Sequence, residues 1–393
     1  MKQKIYLDHN ATTPLLPEVL EAMKPFWREA YGNPSSIHEA GAEASRAIRK
    51  AREEVASLLG ARDESEIIFT SGGTESNNAV FRSVSSRETL KRRIVITSVE
   101  HSSVLKVAKA LQEEGRAEIH HCPVDAQGNL DPEQLDQSVN ELSALVSVMA
   151  ANNETGVLFP VEAIGKQVQA KGVLFHVDAV QAVGKISFSL KEAPIDFLSL
   201  SGHKLGGPKG VGVLYVRKGV PFRPLCFGGS QERGNRAGTE NVPGIVGLGA
   251  ACRYWRKHLG EVNQRVQGLR DNFEREILRE IPQSEINGDP TNRLPNTSNL
   301  AFEGVDSEAL LILLDQEGVF ASSGSACLSG APEPSHVLKA MGFSNERANS
   351  SVRFSFGLEN RIEEIIEAVR LVKVFIGRLR EIELEEQHPH SIV

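Results

Sequence analysis

The sequence predicts an α/β fold: a large domain with a mostly parallel sheet between helices, followed by a small α+β domain. Three observations predict it. From Ile67 to Val216 short β-branched runs alternate with amphipathic stretches, the pattern that places parallel strands under covering helices. Long helical patterns bracket that region, one before Ile67 and one after Asn241. Beyond the second, apolar runs and helical stretches follow one another without the same regular alternation, which is α+β in character.

In chain order, Ile37, Ala40, Ala44, Ile48, Ala51, Val55 and Leu58 recur at three- and four-residue spacing. This predicts one amphipathic helix, opened by Asn33-Pro34-Ser35-Ser36 and stopped at Gly60. Strands are then expected at Ile67–Phe69, Ile94–Ile96, Ala117–Ile119, Leu145–Met149, Val173–Val177, Phe197–Leu200 and Val211–Val216. After the helical pattern from Asn241 to about Ile281, further strands are expected at Asn299–Phe302, Val319–Ala321 and Val352–Phe354. A final helix buries Ile362, Ile365, Ile366, Val369, Val372, Phe375, Ile376 and Leu379. The polar tail from Glu385 is expected to fray. The expected division is 17–255 for the large domain and 256–393 for the small one, with residues 1–16 belonging to the small domain.

The chain has 393 residues, with 44 Lys+Arg against 51 Asp+Glu and a net charge of −7. That length supplies a large core without a metal or disulfide staple. The mild acidity and the lack of a basic patch argue against a nucleic-acid partner. No apolar stretch is long enough to cross a membrane, and no secretory signal precedes Asp8. Cys122, Cys226, Cys252 and Cys327 are widely spaced, so no fixed metal site is expected and a reducing, cytoplasmic setting is. The first three are read as structural thiols.

Three segments at expected strand ends carry chemistry, because open α/β sheets bind ligands there. Thr70-Ser71-Gly72-Gly73-Thr74 leads from a strand into a helix and offers N–H groups and hydroxyls to an anion. His176-Val177-Asp178 ends an apolar strand in an acid that suits a protonated ring nitrogen, although the same acid would also cap a helix. Ser201-Gly202-His203-Lys204 places an amine among small residues, which suits a Schiff base. Lys209, in Pro208-Lys209-Gly210, has the setting of an exposed turn.

With these segments the chain resembles a fold-type I pyridoxal-phosphate-dependent transferase of the aminotransferase class V group, and within it the cysteine desulfurases. The resemblance extends through Tyr6–Pro14, Tyr31–Ser36, Val99-Glu100-His101, Ala151–Gly156, Gly228–Gly234, Arg236–Glu240 and Ser322–Cys327. The long segment around Cys327, ending in Glu333-Pro334-Ser335-His336-Val337, is similar to the nitrogenase-type and housekeeping branch.

The resemblance implies pyridoxal 5'-phosphate as cofactor, with Lys204 on its aldehyde, Asp178 on its ring nitrogen, Gln181 on its ring hydroxyl and His101 stacked on its face. Gly73, Thr74, Ser201 and His203 would hold the phosphate, with Thr239 reaching in from the second copy of a homodimer. Asn153 would contact cofactor and substrate, Arg353 would grip the carboxylate of L-cysteine, and Asn33 would be a second carboxylate contact. Read on its own alternation with apolar neighbours, Arg353 also suits a surface ion pair. Cys327 would take sulfur as a persulfide and pass it to an iron–sulfur scaffold or other sulfur acceptor. Through that persulfide it could ligate an iron–sulfur cluster transiently.

Overall fold

The computed structural model describes residues 4–87, 90–191, 193–324 and 334–387. In chain order its strands are β1 (Ile5–Tyr6), β2 (Ile67–Thr70), β3 (Arg93–Thr97), β4 (Glu118–Cys122), β5 (Ser143–Met149), β6 (Leu174–Asp178), β7 (Phe197–Ser201), β8 (Gly212–Val216), β9 (Ser284–Ile286), β10 (Thr297–Phe302), β11 (Val319–Phe320) and β12 (Ser351–Ser355). The helices that matter most for the site and core are α1 (Glu39–Leu59), α2 (Gly73–Ser85), α3 (Ser102–Glu113), α4 (Val242–Glu280) and α5 (Ile362–Gln387).

Seven strands form one sheet in the order β2-β8-β7-β6-β5-β3-β4. The pairings from β4 across to β7 are parallel, and those that add β8 and β2 are antiparallel. The sheet is thus mostly parallel, as the alternation of short runs and helices predicts. Successive side chains point to opposite faces, and a sheet covered on both sides needs apolar residues at every position. Ile68, Ile94, Ile96, Leu145, Phe197 and Leu214 pack with α2 and α3 on one face. Phe69, Val95, Val146, Val177, Leu198 and Val213 join the larger core with α1 and α4.

The α1 helix begins later than expected, with His38 as its N-cap, and stops where expected because Gly60 adopts φ 70°. A three-stranded antiparallel sheet orders β12-β10-β9. The two-residue β1 pairs in parallel with β11, Ile5 opposite Val319, so the N-terminus lies against the C-terminal strands. Neither β1 nor the polar β9 was expected, because runs of two or three residues carry no periodicity. The expected boundary at 255/256 falls inside α4, which is one continuous helix. The last helix continues through 385–387 rather than ending at Glu385.

Candidate active site

The chemistry-bearing segments gather at the carboxyl ends of β2, β3, β5, β6 and β7. After β2, α2 starts at Gly73 with no side-chain cap from Gly72, leaving helix N–H groups available to an anion. A Cβ at Gly73 would meet Val180 Cγ2 at 2.7 Å and Ser201 Cβ at 4.0 Å. The turns after β2 and β6 and the end of β7 therefore converge at a residue with room only for glycine. Thr74, one residue on, is exposed.

Asp178 ends β6 and is buried. No α-helix follows it; its Oδ1 accepts from Val180 N at 3.0 Å and its Oδ2 from Asn77 Nδ2 at 2.8 Å. The buried carboxylates of Glu232, Asp196 and Glu274 each meet an arginine, whereas among the described residues Asp178 forms no ion pair.

Lys204 follows β7, and its Nζ donates to Asn10 O at 2.5 Å and Ala11 O at 2.8 Å. Burial, then the charge of Arg353, lowers its amine to about 8. Lys209 is exposed in the next turn. Gln181 Nε2 donates to the same Asn10 carbonyl at 2.9 Å, while Gln181 Oε1 accepts from the buried Lys185. Burial holds the Lys185 amine well below its usual range. Ser201 is buried, and His203 Nδ1 lies 3.2 Å from Thr12 Oγ1. Burial, then the charge of Lys204, lowers the His203 imidazole to about 4.

His101 caps α3 with its Nδ1, which accepts from Ser103 N at 3.1 Å, and burial lowers its affinity for a proton. Arg353 lies within β12 and is buried rather than at the surface. The surface ion pair is therefore corrected: β12 is buried on both faces, and Arg353 Nη2 pairs internally with Asp8 Oδ1 at 2.8 Å. Its Nη1 donates to Asn153 O at 3.0 Å, and its Nε is buried with no partner among the described residues.

Two expected residues are not brought into contact with this cluster among the described residues. Asn33 is exposed, and its Oδ1 accepts from Ser35 N in its own turn at 2.9 Å; Thr239 is exposed in another loop. Cys327 lies outside the described residues. The described residues on either side of it converge on Glu154, whose Oε2 accepts from Ser335 Oγ at 2.5 Å. A Cβ at Gly324 would sit 2.1 Å from that oxygen. Cys122 and Cys252 are buried, and burial raises the Cys122 thiol to about 11. Cys226 is exposed.

Sequence reasoning missed Asp8, Asn10, Asn77, Ser103, Glu154 and Lys185. All but Asn77 and Lys185 lie in or within two residues of quoted motifs, but only the fold shows that Asn10 reaches Lys204, Lys185 and Gln181.

The profile of the aminotransferase class-V family matches residues 5–368. The chain belongs to the aminotransferase class-V family. Among its relatives in that family, a cysteine desulfurase of Trichormus azollae is 52% identical over 368 residues, covering 93% of this chain and 92% of that protein. The cysteine desulfurase NifS of Azotobacter vinelandii is 48% identical over 378 residues, covering 96% and 94%. A solved NifS-like protein superposes with a TM-score of 0.88 at 41% identity, covering 97% of this chain and 99% of that one. SspA in complex with cysteine gives a TM-score of 0.77 at 33% identity, covering 90% and 99%. Among the described residues, no helix is long and apolar enough to cross a membrane.

Proposed function

We propose that this class-V family chain is a pyridoxal-phosphate-dependent cysteine desulfurase. It takes sulfur from L-cysteine, releases L-alanine and leaves a persulfide on Cys327. The observation that carries the reading is the buried Asp178 carboxylate, without an ion pair among the described residues, in the same strand-end cluster as the Lys204 amine. A buried charge costs several kcal/mol unless it is paired, and a protonated ring nitrogen is the partner that Asp178 lacks. The uncapped start of α2 at Gly73 fits a phosphate, and Lys204, held among the described residues by two carbonyl oxygens, fits an aldehyde.

In this reading Gly73, Thr74, Ser201 and His203 hold the phosphate, Gln181 meets the ring hydroxyl and His101 covers the ring face. Arg353, already tied to Asp8, turns its remaining donor edge to the substrate carboxylate, with Asn153 beside it and Asn33 as a further contact. The bound cofactor supplies an electron sink for the charge left when the substrate Cα loses its proton. Lys204 or His101 takes that proton; an amine titrating near 8 is well matched to the task near neutral pH. The Cys327 thiolate attacks the substrate sulfur: an S–S bond forms, the C–S bond breaks, and the electron pair stays with the three-carbon fragment. That fragment takes up one proton at its terminal carbon, regains at Cα the proton it lost, and leaves as alanine.

A homodimer is part of the proposal. Tyr31, Ile37 and Phe227 are 79%, 104% and 84% exposed, and they belong to the same loops as Asn33 and Thr239, which a second copy would cover. The sulfur passes to an iron–sulfur scaffold or another acceptor protein in the cytoplasm, a setting supported by the scattered cysteines.

The test is a single turnover with L-cysteine, followed by mass mapping. We expect alanine equal to enzyme and one extra sulfur on the Cys327 peptide, with both lost in Cys327→Ser. Sulfur on Cys226, or full alanine release by Cys327→Ser, would overturn the reading.

A further inference from the structure

We propose that Asn77 and Ser103 are positioning residues that hold His101 in one tautomer and tie its imidazole to the Asp178 carboxylate. What His101 and Asp178 do rests on the desulfurase reading; the network itself stands on geometry. Asn77 is fully buried on α2. Its Nδ2 donates to Asp178 Oδ2 at 2.8 Å and to Ser103 Oγ at 2.9 Å. Ser103 Oγ lies 2.8 Å from His101 Nδ1, and Ser103 N donates to the same ring nitrogen at 3.1 Å. Three elements thus meet in one chain of bonds: the end of β6, the α2 helix and the start of α3.

Donor and acceptor chemistry sets the direction of each bond. A backbone N–H can only donate, so Nδ1 is an acceptor. With Nδ1 an acceptor, the Ser103 hydroxyl 2.8 Å away is the donor of that pair, and its oxygen accepts from Asn77. The neutral ring therefore carries its own proton on Nε2. The orientation of Asn77 follows from its neighbour, since a flipped amide would set Oδ1 against the Asp178 carboxylate. Oδ1 is instead buried with no partner among the described residues. The amide forgoes one bond and keeps both N–H groups in place.

A proton on Nδ1 would face the backbone N–H and the hydroxyl proton of Ser103, so the network disfavours the imidazolium and leaves Nε2 to exchange with the site. Around the ring, Asp178 favours the charged form, whereas Lys204 and His336 oppose it. Glu100 precedes His101 in the chain, and its carbonyl lies 3.0 Å from His336 Nε2. Because one amide contacts both Asp178 and Ser103, a change of charge at Asp178 is transmitted to His101.

The experiment follows ring-nitrogen shifts of isotope-labelled histidine in the holoenzyme across pH, with the His101 signal assigned by its loss in His101→Gln. We expect the Nε2–H tautomer in the parent protein. In Ser103→Ala the ring should titrate higher by about 0.5–1 pH unit, the size of one lost hydrogen bond. Asn77→Ala should move it the same way, and Ser103→Thr should restore the parent value. A parent ring protonated on Nδ1, or a Ser103→Ala titration identical to the parent, would overturn the proposal. Alanine formation from L-cysteine is read on the same samples. Its absence in the parent would count against the desulfurase reading while the titration still decides the network.

Discussion

At the residue scale, Arg353 acts through the donors that the protein leaves over. Asp8 and the Asn153 carbonyl take Nη2 and Nη1, while Nε is buried with no partner among the described residues. A lysine would keep a charge but lose the fork that serves both neighbours and a carboxylate. Arg353→Lys is therefore expected to raise KM for L-cysteine by about tenfold or more, the value of one charged hydrogen bond, with cofactor content unchanged; steady-state kinetics check it. Lys204 yields a pH prediction. Only the neutral amine attacks an aldehyde, and its folded-state value is lowered to about 8. The rate at which cofactor-free protein takes up pyridoxal phosphate should rise with pH through about 8 and then level. A rate still climbing above pH 10 would mean an ordinary exposed lysine.

At the element scale, the turn into α2 depends on a missing side chain. Gly73→Ala would force a Cβ against Val180 at 2.7 Å, a clash between packed elements of the kind that costs about 1–3 kcal/mol. Thermal melting should fall accordingly, and phosphate-dependent cofactor retention should weaken with it. The sheet strands were legible because burial on both faces makes them mostly apolar, as in Leu145 to Met149, where only Ser147 is polar. α1 was legible because its stripe has helical period and its stop is a glycine in the left-handed region. β1 and β9 were not, since their pairing is decided by partners hundreds of residues away or by a polar hairpin-like return. Lys204, Asp178 and Gly73 could be read from their motifs. Asn77 and Ser103 could not, because a buried amide and a helix-start serine look ordinary until β6 and α3 are set beside α2.

At the scale of the whole molecule, the segment after β1 links the seven-stranded sheet to the three-stranded one. Asn10 accepts from Lys204, Gln181, Lys185 and Asn296 and donates to Thr297, so one residue after β1 ties the segments that follow β6 and β7 to β10. The exposed apolar side chains of Tyr31, Ile37 and Phe227 lie outside this core. Sedimentation should find a dimer, with Phe227→Ser shifted toward monomer; a parent protein that sediments as a monomer at micromolar concentration would contradict the homodimer.

The most direct measurement of the central claim is the absorption spectrum of the purified protein, supplied with pyridoxal phosphate, before and after L-cysteine, with alanine and sulfide counted in the same tube under a mild reductant. The account predicts a visible band that changes on adding cysteine and alanine equal to sulfide, with both lost in Lys204→Ala. A protein that stays colourless and releases neither product would contradict it.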